Sequence, residues 1–193
     1  NSYLPPSNLG IWHPNELTGR LCELSTNHRE VHLTLTCNII HAYQRIGEPV
    51  SWITTTRNTF FPPDVAQCGI DLLSLPVVTV PDLRALVTVA EQLTRCGTFG
   101  LIVLEIGVHM AIRMGHLGLL SRLARRHNTA LLCLTVPCHE RTLGSPIALR
   151  GRGFRIATSK SGYFQCGIHV CKDRNYGPGR SLTNTYRAPY SLY

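Results

Sequence analysis

The strongest constraint on this chain is the alternation of short apolar runs with helix-periodic segments, because few architectures bury both kinds of element together. Apolar runs occur at 21–24, 50–54, 73–80, 101–105 and 128–136. After the first of them, Leu35, Ile39, Ala42, Tyr43 and Ile46 recur at helical spacing until Gly47 supplies a stop and Pro49 prevents continuation. Pro62 and Pro63 begin a short helix through Ala66 that Gly69 closes. Pro81 and Asp82 open a longer helix with Leu83, Leu86, Val87, Ala90 and Leu93 on one side, closed near Gly97. A further helix over 114–126 sets Leu117, Leu120 and Leu123 opposite Arg122, Arg125 and Arg126. Strands alternating with helices of about 10–15 residues predict βαβ units, and so a parallel sheet with right-handed crossovers. In such sheets ligands sit beyond the carboxyl ends of the strands. That places the turn 25–30, Thr56, Glu105 and Val136 along one rim. From Arg150 the pattern changes, and 154–158, the polar turn 159–162 and 163–171 predict a β-hairpin.

A chain of 193 residues suits a single α/β core, expected over 19–176. Before it, 1–18 contains Pro5, Pro6 and Pro14 and reads as an irregular arm laid over the domain. After it, 177–193 reads as a tail ordered by contact. With 44% apolar and 16% charged residues the chain has enough apolar surface for a substantial core. No apolar run approaches the ~18 residues of a membrane span. Asn1 to Asn8 carry no basic start followed by an apolar stretch, so no secretory signal is expected there. The eight cysteines fall mostly in apolar, regular segments, which reads as reduced core thiols of a cytoplasmic protein. Charge is unevenly placed. Up to Met110 there are 6 Lys and Arg against 9 Asp and Glu, and from Ala111 onward 13 against 2. A cationic second half fits contact with nucleic acid or an acidic protein face, and equally a solvated basic surface.

The strand, turn and helix over 20–35, RLCELSTNHREVHLTL, form the element that carries Gly-x-x-x-x-Gly-Lys-Ser/Thr in a nucleotide-binding protein. Only glycine lets backbone N–H groups close around phosphates, and the lysine must reach the β- and γ-oxygens. Here the loop has no glycine, and Arg29, Glu30 and Val31 enter the helix.

With these residues in place, the order resembles the core of the bacterial RecA recombinase family from about Gly19 to Arg180. The matching pieces are Gly19 to Leu24, Leu33-Thr34-Leu35, Gly69-Ile70-Asp71, Pro81-Asp82, Leu101 to Glu105, Asn128 to Leu132 and Val170 to Arg174. The resemblance implies a RecA-like, P-loop NTPase type α/β fold: a mostly parallel central sheet flanked by helices, with a C-terminal antiparallel β-hairpin. It also implies where function has been lost. The family's phosphate-loop glycine, lysine and threonine fall on Arg29, Glu30 and Val31, with the loop shortened by about two residues. Its catalytic glutamate falls on Thr56, its magnesium-linked aspartate on Glu105 and its γ-phosphate-sensing glutamine on Val136. Loss of cradle, base and sensor together implies a pseudo-ATPase with no catalytic residue and no cofactor. Two family lysines that reach a neighbouring subunit's ATP match Lys172 and Arg174. That pair without a phosphate loop implies a protein that caps or modulates a recombinase filament. The glycine-rich DNA-binding loop is kept in part, as Leu143 to Arg150.

Within RecA-like proteins the compact core with eroded motifs is similar to the ImuA (SulA-related) proteins. That likeness implies a role in the SOS response and translesion mutagenesis, with RecA recombinase and the Y-family-polymerase-like ImuB as partners. Arg141, Arg150, Arg152, Arg155, Lys172 and Arg174 are the expected contacts with partner or nucleic acid. A sequence-independent single-stranded DNA-binding module and a divergent ATPase remain open beside this reading. Zinc is disfavoured. Cys133, Cys138 and His139, with Cys166, His169 and Cys171, lack the spacing of a knuckle, and His28 and His32 come without an H-E-x-x-H pattern.

Overall fold

A computed structural model describes residues 12–55, 65–66, 68–107, 112–136, 143–156 and 163–187. Among them eight strands form one sheet: β1 (Leu21–Ser25), β2 (Val50–Thr54), β3 (Val77–Thr79), β4 (Leu101–Gly107), β5 (Ala130–Thr135), β6 (Leu149–Ile156), β7 (Tyr163–Asp173) and β8 (Ser181–Arg187). Their spatial order is β3-β2-β4-β5-β1-β6-β7-β8. Pairing is parallel from β3 through to β6, and antiparallel between β6 and β7 and between β7 and β8. The protein is therefore α/β, with a mostly parallel sheet closed by antiparallel strands at its C-terminal edge.

Among the described residues four helices have both ends in place: α1 (Pro14–Leu17), α2 (Arg29–Arg45), α3 (Leu83–Cys96) and α4 (Met114–His127). Each long helix after α2 starts or stops where local chemistry requires. The Asp82 side chain accepts the Ala85 N–H at 2.7 Å and caps α3, while Gly97 ends it at a φ of 68° that a side chain would strain. Asn128 ends α4 in the same left-handed region, behind Arg125, Arg126 and His127, whose position suits the negative end of the helix dipole.

The sheet separates two apolar layers. Cys22, Leu24, Trp52, Val103 and Leu132 point to one face, where Trp12, Leu17, Val31, Leu35, Ile39 and Tyr43 cover them. Leu21, Ile53, Ile102, Leu104 and Leu131 point to the other, beneath Leu86, Ala90, Leu117 and Leu120. Strands buried on both sides explain why the sequence shows continuous apolar runs there. Each of these fully buried leucines contributes about 1.5–3 kcal/mol.

Four segments depart from the pattern read in the sequence, the first being Pro14–Leu17, a capped helix within the arm read as irregular. Of the run 73–80 only Val77–Thr79 pairs as a strand. Asp71 accepts the Leu73 N–H at 3.0 Å and the Ser74 hydroxyl at 2.7 Å, folding a turn that leaves Leu73 fully exposed. The Ser74 hydroxyl holds the Asp71 carboxyl below its usual range. The strand expected from Phe154 begins instead at Leu149, in register with Cys22. Gly151 and Gly153 hide it from periodicity: a side chain on Gly151 would meet Trp12 and Ile168, and one on Gly153 would press on Leu35 and Val31. Within 177–193, Ser181–Arg187 becomes a full strand along β7.

A buried ionic network ties these parts together. Arg20, at the start of β1, donates to the carbonyls of Glu16 and Ala148 at 2.8 and 3.0 Å and to Asp173 Oδ1 at 2.6 Å. Arg180 bridges Asp173 Oδ2 and Glu16 Oε1, both at 2.7 Å. Burial pushes the Asp173 carboxyl up, but the Asn175 N–H and Arg20 outweigh it and the net shift is downward. The ion pair is thus present above the ordinary aspartate value of 3.8 and lost as pH falls through the depressed one. Asp173→Ala leaves the buried Arg20 guanidinium without a counter-charge and is expected to cost about 3–5 kcal/mol in urea unfolding at pH 7. A cost below about 1 kcal/mol would show that the network does not hold the chain ends.

Candidate functional site

At the carboxyl rim of the parallel strands, β1 passes into α2 through three residues, Thr26, Asn27 and His28. Thr26 is buried; its N–H extends the ladder to the Thr135 carbonyl at 3.2 Å and its hydroxyl accepts the His28 N–H at 3.2 Å. So tight a turn has no slack to wrap a triphosphate. The backbone of Arg29 opens α2, and Glu30 stands exposed in the first helical turn with His28 Nδ1 at 3.7 Å. Val31 is fully buried in the core against Leu35 and the Gly153 backbone. A side chain there packs the sheet and cannot face a ligand.

His32 occupies the space beneath the turn. Its Nε2 lies 3.2 Å from the Leu24 carbonyl, and burial lowers its pKa to about 4, so the ring is neutral at pH 7 and Nε2–H donates. The sequence pairs His28 and His32 by spacing alone, yet one is exposed and the other packs on strand ends.

Of the other rim positions, Glu105 is half-buried on the α2 face, where its Oε2 accepts the Trp52 indole N–H at 3.2 Å. Val136 is half-buried beyond β5. Thr56 and Arg141 lie outside the described residues, as do Cys138 and His139.

The basic residues divide between the two faces. On a strand, Arg150 and Arg152 share a side; their partners across the antiparallel pair are Lys172 and His169. This side is the one that α3 and α4 cover over β2, β4, β5 and β1. Lys172 Nζ donates to the Ser145 carbonyl at 3.1 Å, and Arg174 donates to the same oxygen, so one acceptor holds both cations side by side. Burial and the neighbouring Arg174 lower the Lys172 pKa. Arg155 is set apart on the α2 face, its guanidinium 4.8 Å from the Phe164 ring centre.

One acid belongs to this site without having been singled out in the sequence. Glu23, in the middle of β1, is buried; its carboxylate accepts the Thr135 hydroxyl at 3.1 Å and the Leu143 N–H at 3.4 Å, with Arg150 Nε at 3.8 Å. Burial raises its pKa, against the pull of Arg150. A charged residue inside an otherwise apolar strand run was the available signal.

Cys22, Cys96, Cys133, Cys166 and Cys171 are thiols outside any disulfide. Cys133 and Cys166 sit in opposite core layers, and burial pushes Cys166 up to about 11 and Cys22 to about 12, as befits packing rather than ligation. No described helix is long and apolar enough to cross a membrane. No protein-family model matches the chain, and no curated protein matches its sequence significantly.

The His32 environment sets a pH dependence. The unfolded ring takes its proton near 6.5 and the folded one only near 4, so stability falls as pH drops between those values. The expected loss is roughly 3 kcal/mol. His32→Gln, which keeps a donor for the Leu24 carbonyl, should flatten that part of a urea-unfolding profile measured at pH 7, 5.5 and 4.5. Parallel profiles for the two proteins would rule out His32 as the source.

Proposed function

We propose that this chain is a RecA-like protein that works by binding rather than by nucleotide chemistry. It engages a RecA-family recombinase, modulating or capping its filament, and acts in the SOS response and translesion mutagenesis beside a Y-family-polymerase-like partner of the ImuB kind. The observation that carries the reading is the three-residue passage from β1 to α2, with Val31 sunk in the core and Glu30 exposed in front of it. At this position an active relative needs a glycine cradle, an ammonium and a magnesium-binding hydroxyl. A carboxylate at the mouth repels phosphate instead. The mostly parallel sheet with antiparallel strands at its end is consistent with a RecA-like core.

Lys172 and Arg174 support the capping part of the reading. Held by one carbonyl, they offer two adjacent cations on a chain whose own nucleotide rim is closed. Such a subunit would accept the ATP-bearing face of a recombinase and offer nothing for the next subunit to bind.

The test has two arms. Calorimetric titration with ATP should give no binding heat up to millimolar concentration, and a micromolar Kd or steady hydrolysis would overturn the non-catalytic reading. In the second arm the protein should be retained on recombinase filaments formed with ATP and single-stranded DNA, and should inhibit their ATPase. Lys172→Glu with Arg174→Glu should abolish that inhibition, and undiminished inhibition by the folded double variant would reject this face.

A further inference from the structure

Beside the Lys172 and Arg174 pair, the face of β6 and β7 that α3 and α4 leave bare carries a groove of about 530 Å3. Arg150, Arg152 and His169 line it together with Val170, Cys171 and the 178–179 turn. We propose that this groove is an oxyanion site that takes a phosphate group, with the Arg150 and Arg152 guanidinium groups as its principal donors.

Arg150 makes the argument specific. Its side chain is only 14% exposed, yet its Nε is buried without a hydrogen-bond partner and no other donor of the group is engaged among the described residues. A guanidinium so largely withdrawn from water, with a buried Nε and no hydrogen bond among the described residues, calls for an acceptor. The carboxylate nearest to it, Glu23, stops at 3.8 Å and already accepts from Thr135 and Leu143. Arg152, two residues on, is exposed, and its side chain makes no hydrogen bond or ion pair among the described residues. Across the pair, the His169 Nδ1 and Ser181 hydroxyl lie 2.9 Å apart, which fixes the ring and leaves Nε2 as its remaining polar atom. Donors from two guanidinium groups and an imidazole surround one space, as suits a tetrahedral, multiply charged anion.

The rest of the lining narrows the ligand. Among the described residues no Phe, Tyr or Trp lines the groove, so they offer no platform on which bases could stack. Val170 is buried, and Cys171 and Pro178 add little apolar surface for an organic body. Recognition therefore falls on the anion itself. Arg150 and Arg152 are about 6.6 Å apart along the strand. At that backbone spacing both long side chains can converge on one phosphate group or take neighbouring phosphates of one ligand.

The experiment uses the full chain without any recombinase, so its result is separate from that of the proposed function. Inorganic pyrophosphate is titrated by calorimetry at low ionic strength, and a labelled oligothymidylate is followed by anisotropy. Arg152→Gln lies on the surface and should leave the thermal midpoint unchanged while weakening binding about tenfold; Arg150→Gln should weaken it at least as much. Arg122→Gln with Arg126→Gln on α4 removes more charge elsewhere and should leave affinity unchanged. Pyrophosphate binding lost in the groove variants supports a site for an isolated phosphate group. Binding of the oligonucleotide alone, lost in the same variants, supports the site with a phosphodiester as its source. Absence of binding by both probes, or an equal loss in the α4 variant, would overturn the proposal.

Discussion

The Arg20 guanidinium, buried at the amino end of β1, is the point at which distant parts of the chain meet. Its donors reach the last turn of α1, the connection into β6 and the end of β7, and Asp173 passes the contact on to Arg180 ahead of β8. Without that network α1 would keep its apolar contacts and the Tyr43 hydroxyl, and β8 its ladder to β7, but no ion pair would join them. Trp12 covers Gly151 from one side of the chain, and β8 adds to β7 from the other. A buried ion pair gains little over an apolar substitute, but once built it must stay whole, since a stranded charge is far more costly. The network therefore makes the arm and the last strand depend on one another.

At the opposite end of β1 the chain turns into α2 so abruptly that the rim is filled by protein. Thr26 continues the ladder, His32 packs beneath the turn and Val31 joins the core. Each of these residues is committed to the strand ends or the core, which fixes the course of the turn. The helix N-terminus meets Glu30, whose charge suits the helix dipole and repels an anion.

Where the helices stop decides where the positive charge is used. α3 and α4 reach from β2 to β1, so Arg150, Arg152 and His169 on the adjoining strands face a groove open to solvent. On the other side α2 and α1 complete the layer, and Arg155 lies over an aromatic ring at its margin. Side chains of one charge on one strand thus have different surroundings because strand alternation sends them to different faces.

Alternating apolar runs and helical stripes were enough to read a mostly parallel sheet with helices on it, and Asp82, Gly97 and Gly47 marked helix ends without reference to anything distant. The missing glycines at 25–30 were equally plain, since the chemistry of a phosphate loop is local. Partners far apart in the chain left no such mark. Glu23 beside Arg150, Arg20 on Asp173 and the strand at Leu149–Ile156 depend on which strands become neighbours, and Gly151 and Gly153 carry no periodicity to announce them. By itself the sequence determined the kinds of element, their order and the absence of glycine from the turn after β1. Only the tertiary structure decided which cations share a face and which charge lies buried without a hydrogen bond. Neighbourhood in a sheet is set by crossovers, and these bring together residues more than a hundred positions apart.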